Sequence, residues 1–271
     1  MKFQTKDSLQ LFYNNWEVAN PKTVIALIHG LGEHSGRYNH WAKMFNGAGY
    51  AVVGLDLRGH GQSDGKRGFI PKYDSFLDDI DVFLSEIKKL YPGSKVILYG
   101  HSLGGGQVLN YLVRKNHNLN AVIATGSFIT LAFKPNPFLV FLGKLTLKIA
   151  PGFTQNNQLD INVLSKDAAV VAAYANDPLV HDKLSSALGI GSLEAGEFLY
   201  NYKGEIKTPT LLLHASEDKT TNPEGTIAFY NNTTGNRTLK IFPNLFHEIH
   251  NEPEQKEVFE YILNWLKIQN L

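Results

Sequence analysis

Gly100-His101-Ser102-Leu103-Gly104 sets a serine between two glycines at G-x-S-x-G spacing. A serine hydroxyl is a weak nucleophile near neutral pH; it needs a base to take its proton and an acid to orient that base. Both are available downstream. Asp218 follows the apolar run Thr210–His214, and His247 follows Thr238–Phe242. Serine, then acid, then histidine is the order such triads take along a chain of alternating strands and helices. Glu217 competes with Asp218 as the acid and His250 competes with His247 as the base; Asp218 and His247 are the favoured pair. Acyl transfer also needs two N–H donors for the oxyanion. The residue after the nucleophile, Leu103, is expected to offer one. Leu31, in Ile28-His29-Gly30-Leu31-Gly32, is expected to offer the other.

The elements that must position these groups read as follows. Lys95–Tyr99 is a short β-branched run, and Gly105–Val113 has helical spacing of apolar residues, so Ser102 falls in a strand–turn–helix elbow. Thr23–His29 and Tyr50–Leu57 are near-continuous apolar runs, as strands covered on both faces require. Helices are predicted over Tyr38–Gly49, over Phe76–Leu90 with a stop at Pro92-Gly93, and over Glu254–Lys267. Ala121–Thr125 is a further strand, and Phe3–Trp16 alternates as an N-terminal hairpin does. This βα alternation predicts one α/β domain over residues 1–271, with a mostly parallel twisted sheet and helices on both faces.

One stretch breaks the rhythm. From about 128 to 206 no buried strand is evident, and Pro135, Pro137, Pro151 and Pro178 interrupt the chain. An insertion there leaves the carboxyl edge of the sheet, where ligands bind, and would form a cap over Ser102. Within it, Asn136 reads as an N-cap, Pro137 as the first helical residue and Pro151 as the stop. Lys144 and Lys148 form a narrow polar stripe on an otherwise apolar helix. At about 14 residues it is too short to span a bilayer. Two readings stay open: a helix packed on the body, or a lid that lines an acyl tunnel and touches membranes or micelles.

Composition removes several classes. A net charge of +1 gives no nucleic-acid footprint. With no cysteine, disulfides, cysteine zinc sites and a cysteine nucleophile are excluded. The first residues lack an apolar signal-peptide core, and no run reaches the ~18 apolar residues of a membrane span. The expectation is a cytoplasmic protein with peripheral membrane contact through the cap, needing no metal or organic cofactor. Oligomeric state has no signal in the sequence.

Several segments together resemble the monoacylglycerol lipase family of α/β-hydrolases, whose pattern lysophospholipase-like esterases share. They are His29-Gly30-Leu31-Gly32-Glu33-His34-Ser35-Gly36-Arg37-Tyr38, Asp56-Leu57-Arg58-Gly59-His60-Gly61-Gln62-Ser63-Asp64-Gly65, the elbow, Asn176-Asp177-Pro178-Leu179, Leu211–Asp218 and Phe246-His247-Glu248-Ile249-His250. They are collinear and cover nearly the whole chain. The resemblance implies an α/β-hydrolase fold and hydrolysis of monoacylglycerols, or similar single-chain lipid monoesters, through an acyl-enzyme on Ser102. It further implies that Glu33, Arg37 and His250 surround the polar head of the substrate. From the residues alone, Glu33 and Arg37 equally fit an i,i+4 ion pair. Arg58, His60, Ser63 and Asp64 are expected to build a supporting loop, and Asp177 a turn in the cap. The cap is where the sequence departs most from the family. Lysophospholipase and broad carboxylesterase activities are the runners-up, followed by acyltransferase, aminopeptidase and a non-catalytic ligand-binding protein on the same scaffold. Serine at the elbow argues against dehalogenase or epoxide-hydrolase chemistry, which uses aspartate.

Overall fold

The computed structural model describes residues 1–271, apart from the side chain of Leu139. Among the described residues, ten strands and eight α-helices follow one another along the chain. The hairpin pairs β1 (Lys2–Gln4) with β2 (Gln10–Trp16), then come β3 (Thr23–Ile28), α1 (Asn39–Gly47), β4 (Ala51–Leu55) and α2 (Asp74–Leu90). The elbow joins β5 (Lys95–His101) to α3 (Leu103–Arg114), and β6 (Ala121–Thr125) follows. The next stretch holds α4 (Pro137–Ile149), β7 (Thr154–Asn156), α5 (Ala168–Asn176), β8 (Lys183–Ser185) and α6 (Ser186–Asn201). The chain ends with β9 (Gly204–Ala215), α7 (Pro223–Asn232), β10 (Thr233–Phe242) and α8 (Gln255–Ile268).

Eight strands form one sheet in the order β1-β2-β4-β3-β5-β6-β9-β10. β1 and β2 pair antiparallel, as does β2 with β4; all pairs from β4 to β10 are parallel. The reason is visible in β3, buried at all six positions. Side chains alternate across a strand. Val24, Ala26 and Ile28 join Phe76, Ile80 and Phe83 of α2 in one core. Ile25 and Leu27 join Trp41 and Phe45 of α1 and Phe259 and Ile262 of α8 in the other. One apolar run therefore serves two cores, each fully buried side chain being worth about 1.5–3 kcal/mol. The outcome is an α/β sandwich, as the alternation of runs predicted.

Some boundaries differ. The helix expected over Tyr38–Gly49 is Asn39–Gly47, because Ser35–Tyr38 forms a 3-10 turn capped by the His34 side chain. β9 begins at Gly204, inside the limit of 206 set for the insertion. α7 lacked a strong apolar period, although Asn222 caps it and Pro223 starts it. In α4 the Asn136 side chain accepts Phe138 N–H at 2.9 Å, with Pro137 in the first turn. Among the described residues, no helix is long and apolar enough to cross a membrane.

The stretch between β6 and β9 is tied to the body by backbone. His181 N–H donates to Gly32 O at 2.9 Å, Ser185 N–H to Gly68 O at 2.8 Å, and Glu248 N–H to Leu164 O at 2.8 Å. His34 Nε2 lies 2.9 Å from Asp177 Oδ2. Asp177 also caps a turn through Leu179 N–H, so it ties the segment down as well as shaping it.

Candidate active site

Ser102 lies between the end of β5 and the start of α3, with φ +55° and ψ −117°. A positive φ strains any residue with a Cβ and persists only where its surroundings hold it. Here Ser102 N–H donates to Thr125 O at 2.9 Å, and Ser102 O accepts from Gly106 and Phe128 N–H at 3.0 and 2.9 Å. Glycine at 104 answers a different need. A Cβ there would fall on the carbonyl oxygens of Ile28 and His29, so only glycine lets α3 start against β3.

The structure brings the three expected side chains into one relay. His247 Nε2 lies 2.9 Å from Ser102 Oγ, and His247 Nδ1 lies 2.6 Å from Asp218 Oδ2. All three are buried. Asp218 also accepts Thr220 and Thr221 N–H on Oδ1, at 2.8 and 2.9 Å. Burial alone would raise its pKa, but His247 and His214 hold Asp218 well below the usual carboxylate range. Burial opposes charge on His247 as well. The carboxylate of Asp218 outweighs it and raises the imidazole pKa. A more basic His247 is a better acceptor for the serine proton. Of the competitors, Glu217 is exposed, and His250 is buried 4.8 Å from His101, ring centroid to ring centroid.

Leu31 and Leu103 both border the cavity above Ser102. Among the described residues, neither backbone N–H donates to a protein acceptor, and Leu103 opens α3, where orphan N–H groups and the helix dipole favour negative charge. The loop carrying Leu31 is fixed from below. Glu33 Oε1 accepts Gly30 N–H at 2.7 Å and the Tyr38 hydroxyl at 2.8 Å. A Cβ on Gly30 would stand 3.1 Å from Ser102 Cβ and 2.8 Å from Glu33 Oε1, so the backbone there runs close against the serine.

Glu33 and Arg37 do form the i,i+4 pair, at 2.5 Å, but not alone. Arg37 also makes a forked pair with Glu248, and its guanidinium lies 4.7 Å from the centroid of the Tyr174 ring. Burial pushes the Glu33 pKa upward, yet Arg37 and its neighbours bring it down to about 2. Glu33 and Glu248 line the cavity; Arg37 and His250 are not among the lining residues. His250 is fully buried, stacked 4.6 Å from Tyr38, and burial keeps its pKa well below the ordinary value. Thus only Glu33 of the three expected head-group residues stands on the cavity wall. Arg37 is drawn away by two carboxylates, and His250 by aromatic packing.

The supporting loop after β4 is built by side chains. Ser63 Oγ donates to Asp56 O at 2.5 Å, Asp64 Oδ2 accepts Gln10 N–H at 3.1 Å, and Arg58 pairs with Asp79 and Asp7. His60 packs 4.6 Å from His181, ring to ring.

The cavity encloses about 620 Å³. Its floor is the edge of the sheet at Ser102 and His247, and its walls come from the stretch between β6 and β9. Val140, Leu142, Leu188 and Ile190 make an apolar side, while Gln155 and Asn157 are polar. Sequence reading missed the parts of Glu248, Tyr174 and His214. Glu248 directly follows His247, and that adjacency was the available signal. Among the described residues, no group of three or more His, Cys, Asp or Glu is placed to hold a metal ion.

Fold and site together define a serine hydrolase of the α/β-hydrolase class. A sequence profile of the Hydrolase_4 family, described as serine aminopeptidase S33, matches residues 19–254. A monoacylglycerol lipase of Mycolicibacterium smegmatis is 33% identical over 95% of this chain and 93% of its own length. The crystal structure of a Paleococcus ferrophilus monoacylglycerol lipase superimposes with a TM-score of 0.87 at 34% identity, over 96% of this chain and 99% of that one. An uncharacterized abhydrolase domain-containing protein of Dictyostelium discoideum is 38% identical over 97% of this chain, which spans 28% of that protein's length. The chain belongs to the monoacylglycerol lipase family of α/β-hydrolases.

Proposed function

We propose that this chain hydrolyses monoacylglycerols, or similar single-chain lipid monoesters, through an acyl-enzyme on Ser102. The observation that carries the reading is the Ser102–His247–Asp218 relay at the floor of a largely apolar cavity. Ser102 Oγ attacks the ester carbonyl carbon while His247 takes the hydroxyl proton. Leu31 and Leu103 N–H stabilise the oxyanion, and the alcohol leaves with the proton from His247. Water, deprotonated by the same imidazole, then releases the fatty acid. The acyl chain lies along Val140, Leu142 and Ile190, and the alcohol end toward Glu33 and Asn157.

Charge separates this reading from its runners-up. Arg37, the cation beside the head-group end, is spent on Glu33 and Glu248, so it is not available to a lysolipid phosphate, and the cation left on the cavity wall is Lys134. Both carboxylates are spent in the same contacts, which leaves none for the ammonium of an aminopeptidase substrate. Residues 128–203 act as the cap, and the exposed Phe138 and Phe141 of α4 give it an apolar outer face that touches membranes or micelles transiently. Rates should be compared across monoacylglycerols, lysophospholipids, aryl esters and aminoacyl amides. The highest kcat/KM is expected for a monoacylglycerol, and Ser102→Ala is expected to lose both turnover and fluorophosphonate labelling. A preference for aminoacyl amides, or undiminished labelling of Ser102→Ala, overturns the proposal.

A further inference from the structure

Asp218 does not serve His247 alone. On its other side, the imidazole of His214 brings Nε2 to 3.1 Å from the same Oδ2 that His247 approaches. His214 is the penultimate residue of β9, fully buried, and its Nδ1 lies 2.8 Å from the Thr226 hydroxyl on α7, itself fully buried. The protons on this chain are determined by its end. Nε2 faces two groups that only accept, the Asp218 carboxylate and the Thr221 carbonyl oxygen at 3.3 Å, so His214 must carry its hydrogen there. Nδ1 is then the acceptor for the Thr226 O–H. The reverse tautomer would point a lone pair at the carboxylate and leave the threonine hydrogen buried without a partner.

We propose that His214 is a positioning residue of the triad, a second imidazole N–H donor that shares the Asp218 carboxylate with His247, with Thr226 fixing its tautomer. This rests on the triad reading above. Asp218 is thereby gripped on Oδ1 by Thr220 and Thr221 N–H and on Oδ2 by two imidazoles, with the Thr221 hydroxyl at 2.9 Å. Such a carboxylate cannot rotate away from His247. Its charge is also divided, which tempers how basic it makes His247. The groups facing His247 are Asp218, His101 at 4.7 Å ring to ring, Glu248 beside it in the chain, and Glu33 and His250 further off.

The test is the pH dependence of kcat/KM in His214→Leu and His214→Gln, with the NMR resonance of the His247 Nδ1 proton as a substrate-free readout. Losing the donor concentrates the carboxylate on His247. His214→Leu is expected to lower kcat/KM about tenfold and to raise its acid limb by roughly half a pH unit. The Nδ1 proton resonance moves with it. His214→Gln, whose amide can donate, returns both toward wild type. An unmoved acid limb and an unmoved resonance in folded His214→Leu overturn the proposal, as does His214→Gln behaving like His214→Leu. Should His214→Leu not fold, Thr226→Val is expected to shift the limb in the same direction by less, and no shift there overturns it too. Ester turnover by the wild type tests the proposed function separately, since the resonance needs no substrate.

Discussion

Arg37 and Glu248, 211 positions apart, meet in a fork of two parallel hydrogen bonds, each 2.7 Å long. The same guanidinium holds Glu33. Three charges are thus clustered beside the cavity, the two carboxylates buried and the guanidinium partly so, and removing the central one leaves two carboxylates without a cation. Arg37→Leu is expected to cost about 3–5 kcal/mol of stability. Arg37→Lys, a point charge without the planar fork, is expected to fall between the two. Urea denaturation of the three proteins checks the order; a wild-type midpoint for Arg37→Leu would refute it.

Glu33 contributes to the acid side of the stability profile together with Asp7 and Asp218, which are also held below the usual carboxylate range. The Glu33 pKa falls from an ordinary 4.5 to about 2 on folding, so the folded state binds the proton less readily than the unfolded state does. The stabilisation is therefore fully present above the unfolded value and is lost as pH drops from 4.5 toward 2. Glu33→Gln is expected to lessen the fall of the melting temperature across that window, with the remaining fall coming from Asp7 and Asp218. Thermal melts of both proteins at matched ionic strength measure it.

Activity is expected to fail at a higher pH than stability does. His247 must be neutral to accept the serine proton, and Asp218 raises its pKa above that of an ordinary imidazole. The acid limb of kcat/KM in the free enzyme should accordingly lie above ~6.5. Asp218→Asn is expected to lower kcat by roughly 10⁴, the effect of a wrong tautomer at an orienting acid. Steady-state rates from pH 5 to 9 give both results.

Gly104→Ala tests the elbow itself. Its new methyl would meet the Ile28 and His29 carbonyl oxygens, which are backbone and cannot swing aside. The variant is expected to lose about 1–3 kcal/mol through overpacking and to misplace Ser102. A fluorophosphonate labelling rate equal to wild type would count against this account of the glycine.

On α4, Phe138 and Phe141 are 64% and 62% exposed, which places two aromatic rings in water beside the exposed Leu145 and Ile149. Flotation with zwitterionic and anionic vesicles is expected to recover wild type and to lose Phe138→Asp/Phe141→Asp. Negligible binding by both would remove membrane docking.

The sheet was legible because its strands are buried on both faces, and a run such as Thr23–Ile28 announces itself. The positions of Ser102, Asp218 and His247 were legible because each follows a strand on one edge. What escaped was set by tertiary contact. Arg37 reads as a helix-spaced partner of Glu33, and only the fold brings Glu248 across to claim it. His214 reads as the last apolar-run residue of a strand; its link to Asp218 depends on the turn that follows. The helix Pro223–Asn232 has too weak an apolar stripe to stand out, although its cap and proline were in plain view.

The cavity draws its lining from two separate parts of the chain. Its reacting groups come from tips of the sheet after β3, β5, β9 and β10, and most of its apolar wall comes from the continuous stretch between β6 and β9. Substitutions in that stretch can reshape which ester is admitted without touching the atoms that cleave it. The two can therefore drift at different rates, and a new substrate range is reachable through mutations confined to fewer than a third of the residues.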